Sequence, residues 1–335
     1  MEYDEVERRF NKSLNEEDVL LYLRNTFEFH MKNTPYWMER RCDLDEIFNG
    51  TFEDVLSNIF KNLTIDPQLL RHSWNSFLPK GYRGRVRFYQ SSGTTGHRKI
   101  VPWDERYLDF LLPYLKRGLD SLYGLDRLYK DHAPRALLHG PYGWYQEEMS
   151  RLVWAYGGIL YFIGTETDGL KEVLEKEPKK AFERLDPLVR YTERVLENDT
   201  INLVRTSHQL LDFFLPHRGD LEVIMLSGVG ISEEKLSEIE STFENARIIP
   251  LYGNFAFGDA IGLHKEDEIR YYPNSPFTIV IPLAGDGVVG YGEEGKMGLI
   301  VARPEILVVM VEDEIIRRVR PEGHFKHDGF ADPRR

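Results

Sequence analysis

Apolar positions along the chain follow two rhythms. Leu20, Leu23, Phe27 and Met31 recur at helical spacing behind Ser13-Leu14-Asn15-Glu16, a capping-box pattern, and Asn33-Thr34-Pro35 ends the run. Thr51-Phe52-Glu53-Asp54 opens a second, short helix, and Asp104 is placed to cap a long one through Tyr107, Leu111, Leu115 and Leu122, broken or bent near Pro113. Beyond it, continuous apolar runs alternate with amphipathic ones. Strands are predicted over Arg135 to His139, Ile159 to Ile163, Ile201 to Val204, Leu221 to Leu226 and Ala246 to Pro250. Helices are predicted over Gln146 to Tyr156, Pro178 to about Leu196, Ser207 to Phe214 and Ser232 to Phe243. Uninterrupted apolar strands separated by helices predict an α/β fold, with a largely parallel sheet covered on both faces. From Glu268 the rhythm changes to closely spaced strands: Arg270 to Tyr272, Phe277 to Pro282, Leu299 to Arg303, Leu307 to Val311 and Ile315 to Val319. Turn signals at Gly285-Asp286-Gly287 and Glu293-Glu294-Gly295 separate some of them, which predicts a small antiparallel sheet or barrel towards the C-terminus. The expected organisation is an α/β core over about 80–265 followed by a β-rich part over about 266–335.

One stretch fits neither rhythm. The extended run Val86 to Gln90 stops at Ser91-Ser92-Gly93-Thr94-Thr95-Gly96, and His97-Arg98-Lys99 leads into a second β-branched run. Glycines let consecutive backbone N–H groups converge on an anion, hydroxyls at Ser91, Ser92, Thr94 and Thr95 add donors, and Lys99 adds a mobile positive charge. That combination reads as a phosphate cradle. The helix-nucleating Gly-x-x-x-x-Gly-Lys-Ser/Thr loop is absent.

Composition narrows the classes. A net charge of −12 without a lysine- or arginine-rich block argues against a nucleic-acid groove and against attraction to anionic membranes. Cys42 is the sole cysteine, so neither an internal disulfide nor a thiolate metal cluster is available. The acidic start Met1-Glu2-Tyr3-Asp4-Glu5 does not read as a signal peptide, and runs such as Phe277 to Leu283 are too short to span a bilayer; a soluble cytoplasmic protein is expected.

Ser91 to Lys99 resembles the phosphate loop of the adenylate-forming superfamily, which includes acyl-CoA synthetases, peptide-synthetase adenylation domains and firefly luciferase. The usual proline before the lysine is replaced by Arg98, as in the branch resembling phenylacetate-CoA ligase. Further segments follow in the family's order. His139-Gly140-Pro141-Tyr142-Gly143-Trp144-Tyr145 is similar to the region lining the acyl pocket, and its rings would favour a flat or aromatic acid; stacking adds about 0.5–1.5 kcal/mol beyond area burial. Ser227-Gly228-Val229-Gly230, between a strand and a helix, matches the turn that borders adenine. Leu251-Tyr252-Gly253-Asn254-Phe255-Ala256-Phe257-Gly258-Asp259 resembles the segment whose tyrosine stacks on adenine and whose glutamate helps hold Mg²⁺. Asp328 stands where the family's aspartate accepts both ribose hydroxyls.

The resemblance implies a carboxylate–AMP ligase that uses ATP and Mg²⁺ to make an acyl- or aryl-adenylate and pyrophosphate. Thr94, Thr95 and Lys99 would be catalytic, and Ser91, Ser92, Gly93, Gly96, Gly228, Val229, Tyr252, Gly253, Asn254 and Asp328 would bind nucleotide. His139, Tyr142, Gly143, Trp144, Phe255 and Phe257 would contact the acid. Transfer to CoA or a protein thiol is the implied second step. Alanine at position 256, the place of the metal-binding glutamate, offers no oxygen. Three arrangements then stand: the ion held by ATP oxygens and water, Asp259 acting in place of the glutamate, or a lost metal site. The family's small mobile C-terminal domain, with its own lysine, is not expected within these 335 residues, which implies a partner supplying it. The alternative is a protein that binds nucleotide and acid for sequestration or sensing without turnover.

Overall fold

The computed structural model describes Tyr3 and residues 15–91, 98–164, 176, 178–227, 230–265 and 268–334. Its contacts divide the chain into two compact units: residues 1–89, 99–111 and 270–335 form one, and residues 90–98 and 112–269 the other.

The first unit is built on an antiparallel sheet with strand order β11-β10-β12-β13-β14-β9. These strands are β9 (Glu268–Tyr272), β10 (Thr278–Ala284), β11 (Gly287–Val288), β12 (Glu294–Arg303), β13 (Ile306–Val319) and β14 (Gly329–Arg334). Gly285 takes φ +63° in the tight turn that pairs Ala284 with Gly287, where the turn signal predicts it. The two strands expected over Leu307 to Val311 and Ile315 to Val319 are one. Lys296 pairs with Ile315 and Gly298 with Val311, so Glu312-Asp313-Glu314 oppose a single residue as a bulge. An acidic triplet reads as a break in sequence, yet a bulge accommodates it without ending the strand.

Two helices of this unit open on reciprocal capping boxes. In α1 (Glu16–Asn33) the cap is Asn15 rather than Ser13: its side chain accepts from the Asp18 N–H at 2.8 Å while Asp18 accepts from the Asn15 N–H at 3.1 Å. In α2 (Phe52–Leu63), Thr51 and Asp54 make the same reciprocal pair. Trp37 in the turn after α1 is fully buried, and its indole N–H donates to the Leu307 carbonyl at 2.9 Å. Strands β1 (Val86–Gln90) and β2 (Ile100–Asp104) form a separate two-stranded sheet flanking the glycine-rich stretch. Buried Asp104 accepts from the Arg106 N–H at 2.9 Å, the capping role expected of it, and α3 (Glu105–Tyr123) continues through Pro113.

The second unit is the α/β core. Its sheet has the order β8-β7-β6-β5-β3-β4. Strands β3 (Arg135–Gly140), β4 (Ile159–Gly164), β5 (Leu203–Thr206), β6 (Val223–Leu226) and β7 (Arg247–Asn254) are mutually parallel, and β8 (Gly258–Lys265) returns antiparallel to β7. Helices α4 (Trp144–Ala155), α5 (Pro178–Asn198) and α6 (Glu233–Thr242) connect them. Every residue of β5 and β6 is buried, which is why these strands read as unbroken runs. The fold class is the expected one, mixed α/β with a mostly parallel sheet and a β-rich antiparallel part. Among the described residues, no helix is long and apolar enough to cross a membrane.

Candidate functional site

In an open α/β sheet, ligands collect beyond the carboxyl ends of the strands. In the second unit the segments singled out in sequence leave the carboxyl ends of β3, β6 and β7. The β7–β8 connection is a hairpin: Gly253 pairs with Asp259 and Asn254 with Gly258, so Phe255-Ala256-Phe257 forms its tip. The Asn254 side chain accepts from the Ala256 N–H at 2.9 Å, and Gly258 takes φ +99°, a conformation open to glycine. Tyr252, Gly253 and Asn254 are half-buried, whereas Phe255, Ala256 and Phe257 turn inward.

Gly253 is there because nothing larger fits. A Cβ at this position would lie 2.7 Å from the Tyr145 hydroxyl and 3.0 Å from Asp259 Oδ1. Asp259 is 2 % exposed, and its Oδ2 lies 2.6 Å from Nη2 of Arg205. Arg205 Nη1 also donates to Glu148 Oε1 at 3.4 Å, and its guanidinium lies 5.2 Å from the centre of the Tyr145 ring. Burial, and then the neighbouring Asp259, push the Glu148 carboxyl well above the usual carboxylate range.

This geometry bears on the metal. Asp259 spends its charge on Arg205 inside the core, and Ala256 carries only a methyl group. Among the described residues, no group of three or more His, Cys, Asp or Glu side chains is arranged to hold a metal ion. In the β7–β8 hairpin, then, neither Ala256 nor Asp259 offers Mg²⁺ a free carboxylate.

The side chains expected against the acid divide into interior and surface. His139 is buried; its Nε2 lies 2.8 Å from Thr192 Oγ1 and its Nδ1 2.9 Å from Thr206 Oγ1. Because the Thr192 hydroxyl donates to the Leu188 carbonyl, its oxygen must accept, which places the imidazole proton on Nε2. Burial lowers its pKa to about 4, so it stays neutral at pH 7. Both ring nitrogens are engaged by threonine hydroxyls, and the ring is buried in the core. Trp144, Phe255 and Phe257 are likewise core side chains. Trp144 stacks on Tyr145 at 3.6 Å between ring centres. Tyr142 differs: it is 68 % exposed and meets Phe162 edge-on at 5.3 Å. Gly143 takes φ +131° where α4 begins, a backbone shape that favours glycine.

In the first unit, Lys99 Nζ contacts Glu312 Oε1 at 2.7 Å, with the two side chains 15 % and 19 % exposed. Glu312 belongs to the bulge of β13, and bulges re-aim side chains in this way. Asp328 accepts from the Tyr291 hydroxyl at 2.8 Å and from Arg318 Nε at 2.8 Å. A cavity of about 70 Å³ adjoins it, lined by Ser275, Tyr291, Pro321, Lys326 and His327 among others. The residues holding Lys99 and Asp328, Glu312 and Arg318, both belong to β13 and sit six positions apart, with the bulge between them. Ser91, at the end of β1, is described; Ser92, Gly93, Thr94, Thr95 and Gly96 lie outside the described residues, as do Gly228 and Val229.

Arg205, Glu148, Glu312 and Arg318 were not singled out in sequence. Arg205 carries a signal in retrospect, since an arginine inside an apolar parallel strand requires buried partners. The others sit in amphipathic or charged stretches that look solvated.

No protein-family model matches the chain, and none of the curated proteins matches it. Solved structures do. Over 77% of its length the chain is similar to VinN, at 10% identity and a TM-score of 0.45, covering 62% of that protein. Over 74% it is similar to the luciferase-like enzyme from the nonluminescent Zophobas morio mealworm, at 13% identity and a TM-score of 0.42, covering 57% of it. Over 76% it is similar to IdnL1, at 13% identity and a TM-score of 0.43, covering 55% of it. The chain thus spans less than two thirds of the length of each.

Proposed function

We propose that the chain activates a carboxylic acid with ATP. The acid oxygen attacks the α-phosphorus, the bond to the bridging oxygen of the β-phosphate breaks, and pyrophosphate leaves with that electron pair. The products are an acyl- or aryl-adenylate and pyrophosphate. The observation that carries the reading is the ordered set of segments, Ser91 to Lys99, Tyr252-Gly253 and Asp328, in a chain whose α/β core presents Tyr252 and Gly253 at the carboxyl end of a parallel strand. Ser91, Ser92, Gly93, Thr94, Thr95 and Gly96 with Lys99 are assigned to the polyphosphate. Gly228, Val229, Tyr252, Gly253 and Asn254 are assigned to the base, and Asp328 to the ribose. Catalysis in such a transfer is largely positioning and charge stabilisation. The exposed ring of Tyr142 is the side chain best placed to meet a flat acid. Proposed partners are the acid and CoA or an acceptor protein thiol; the proposed setting is the cytoplasm.

A second reading has an observation of its own. Ala256 and the sequestered Asp259 leave Mg²⁺ without a protein ligand in the β7–β8 hairpin, which favours a protein that binds ATP and acid without turning them over. ATP–pyrophosphate exchange over a panel of aryl and alkyl acids separates the two. The ligase predicts acid-dependent exchange for at least one acid. Saturable ATP binding without exchange for any acid selects the binding protein.

A further inference from the structure

An arginine fully buried in an apolar strand is costly to keep. Its desolvation amounts to several kcal/mol, recovered only through well-placed partners. Arg205 sits in β5, a strand with every residue buried, and its side chain is 2 % exposed. Each of its partners belongs to a different connection. Its Nε donates to Ser227 Oγ at 3.2 Å, immediately before Gly228 at the carboxyl end of β6. Its Nη1 donates to Glu148 on α4, the helix that begins at Trp144 after β3. Its Nη2 is in ionic contact with Asp259, which opens β8 after the hairpin tip. Asp259 and Tyr145 in turn press on Gly253, leaving no room there for a Cβ.

We propose that Arg205 is the positioning residue of this unit, tying the acid-binding segment after β3, Ser227 at the carboxyl end of β6 and the Tyr252-Gly253 turn after β7 to one buried centre. The inference rests on the nucleotide-and-acid reading above. It adds that the three segments are set by a shared contact rather than each by its own loop.

Charge counting constrains the centre further. One guanidinium faces two carboxyls, all with side chains no more than 2 % exposed, so one negative charge is balanced and the second must be neutralised by a proton. Glu148 is the carboxyl that keeps it, driven first by burial and then by Asp259. The charged or titratable groups facing Glu148 are Arg205 on β5, Asp259 on β8 and Tyr145 on its own helix. A group held protonated in the fold but ionised when unfolded stabilises fully at low pH, and the contribution is lost as pH rises above about 4.5 towards its folded pKa.

The test uses the full chain and the variants Arg205→Met, Glu148→Ala and Glu148→Gln, with ATP–pyrophosphate exchange, ATP titration and urea unfolding. Arg205→Met and Glu148→Ala are expected to raise KM for both ATP and acid about 10- to 100-fold, with kcat affected less, because segments are displaced rather than reacting groups removed. Glu148→Gln, which mimics the protonated acid, is expected to restore both KM values to within about threefold of wild type. The urea midpoint of the wild type should fall relative to Glu148→Gln as pH rises from 5 to 8. Folded Arg205→Met with wild-type KM for ATP and acid overturns the proposal, as does a Glu148→Gln defect equal to that of Glu148→Ala. If Arg205→Met does not fold, the pH arm decides: a wild-type-to-Glu148→Gln difference that is flat with pH overturns the shared-proton centre. Wild-type protein with neither ATP binding nor exchange overturns the functional reading instead, an outcome distinct from active wild type with indifferent variants.

Discussion

Lys99→Ala is expected to slow ATP–pyrophosphate exchange by about 10²–10³-fold, the usual loss when one preorganised donor to developing charge is removed. The lysine closes the glycine- and hydroxyl-rich stretch, and its ammonium is held at 2.7 Å by Glu312 from the bulge of β13. A flexible side chain tethered this way pays less conformational entropy when it meets a phosphate. The same substitution should cost only about 1 kcal/mol of stability, because the pair retains partial access to solvent. A normal unfolding midpoint together with a collapsed exchange rate is therefore the expected pattern. Exchange within threefold of wild type would remove Lys99 from the chemistry and weaken the phosphate-cradle assignment.

The second large effect is on folding of the first unit. Glu305→Ala is expected to lower its stability by about 3–5 kcal/mol, the cost of stranding a buried charge. Arg303 and Glu305 have fully buried side chains with Nε and Oε1 2.9 Å apart. The guanidinium lies 4.5 Å from the ring centre of Trp103 and 4.4 Å from that of Tyr107, and Glu305 also accepts from the Tyr3 hydroxyl at 2.8 Å. Without Glu305, Arg303 would keep its aromatic faces and a 3.4 Å contact to the Pro102 carbonyl, but no counter-ion among these groups. Urea unfolding followed by intrinsic fluorescence measures this. The double substitution Arg303→Met with Glu305→Leu should recover most of the loss, since apolar replacements of buried pairs are often neutral. A single-variant loss below about 1 kcal/mol would contradict the assignment of Arg303 as a fully desolvated cation.

The sequence reveals the fold where burial is uniform. Strands β5 and β6 are inside on both faces, so they stand out as apolar runs, and Thr51 and Asp54 announce their cap by type and spacing alone. It conceals what depends on partners distant in the chain. Glu312-Asp313-Glu314 looks like the end of a strand because nothing local indicates that β12 will tolerate a bulge opposite it. The aromatic segment from Tyr142 to Tyr145 looks like a ligand surface because ring type does not reveal which ring the helix start turns inward; Trp144 goes into the core and Tyr142 stays outside. Asp328 was legible as an acceptor, but not that Arg318 and Tyr291 already donate to it. Asp259 reads as an available oxygen ligand until Arg205, more than fifty positions earlier, is seen to take its charge.

ATP is the proposed ligand on the strength of the ordered segments Ser91 to Lys99, Tyr252-Gly253 and Asp328. Isothermal titration of the wild-type chain with ATP and magnesium, carried into the millimolar range, tests it without any assumption about the acid or its acceptor. The account predicts a saturable heat with one ATP per chain, abolished by Asp328→Ala and strongly weakened by Lys99→Ala. A flat titration of folded wild-type protein at millimolar ATP would contradict it.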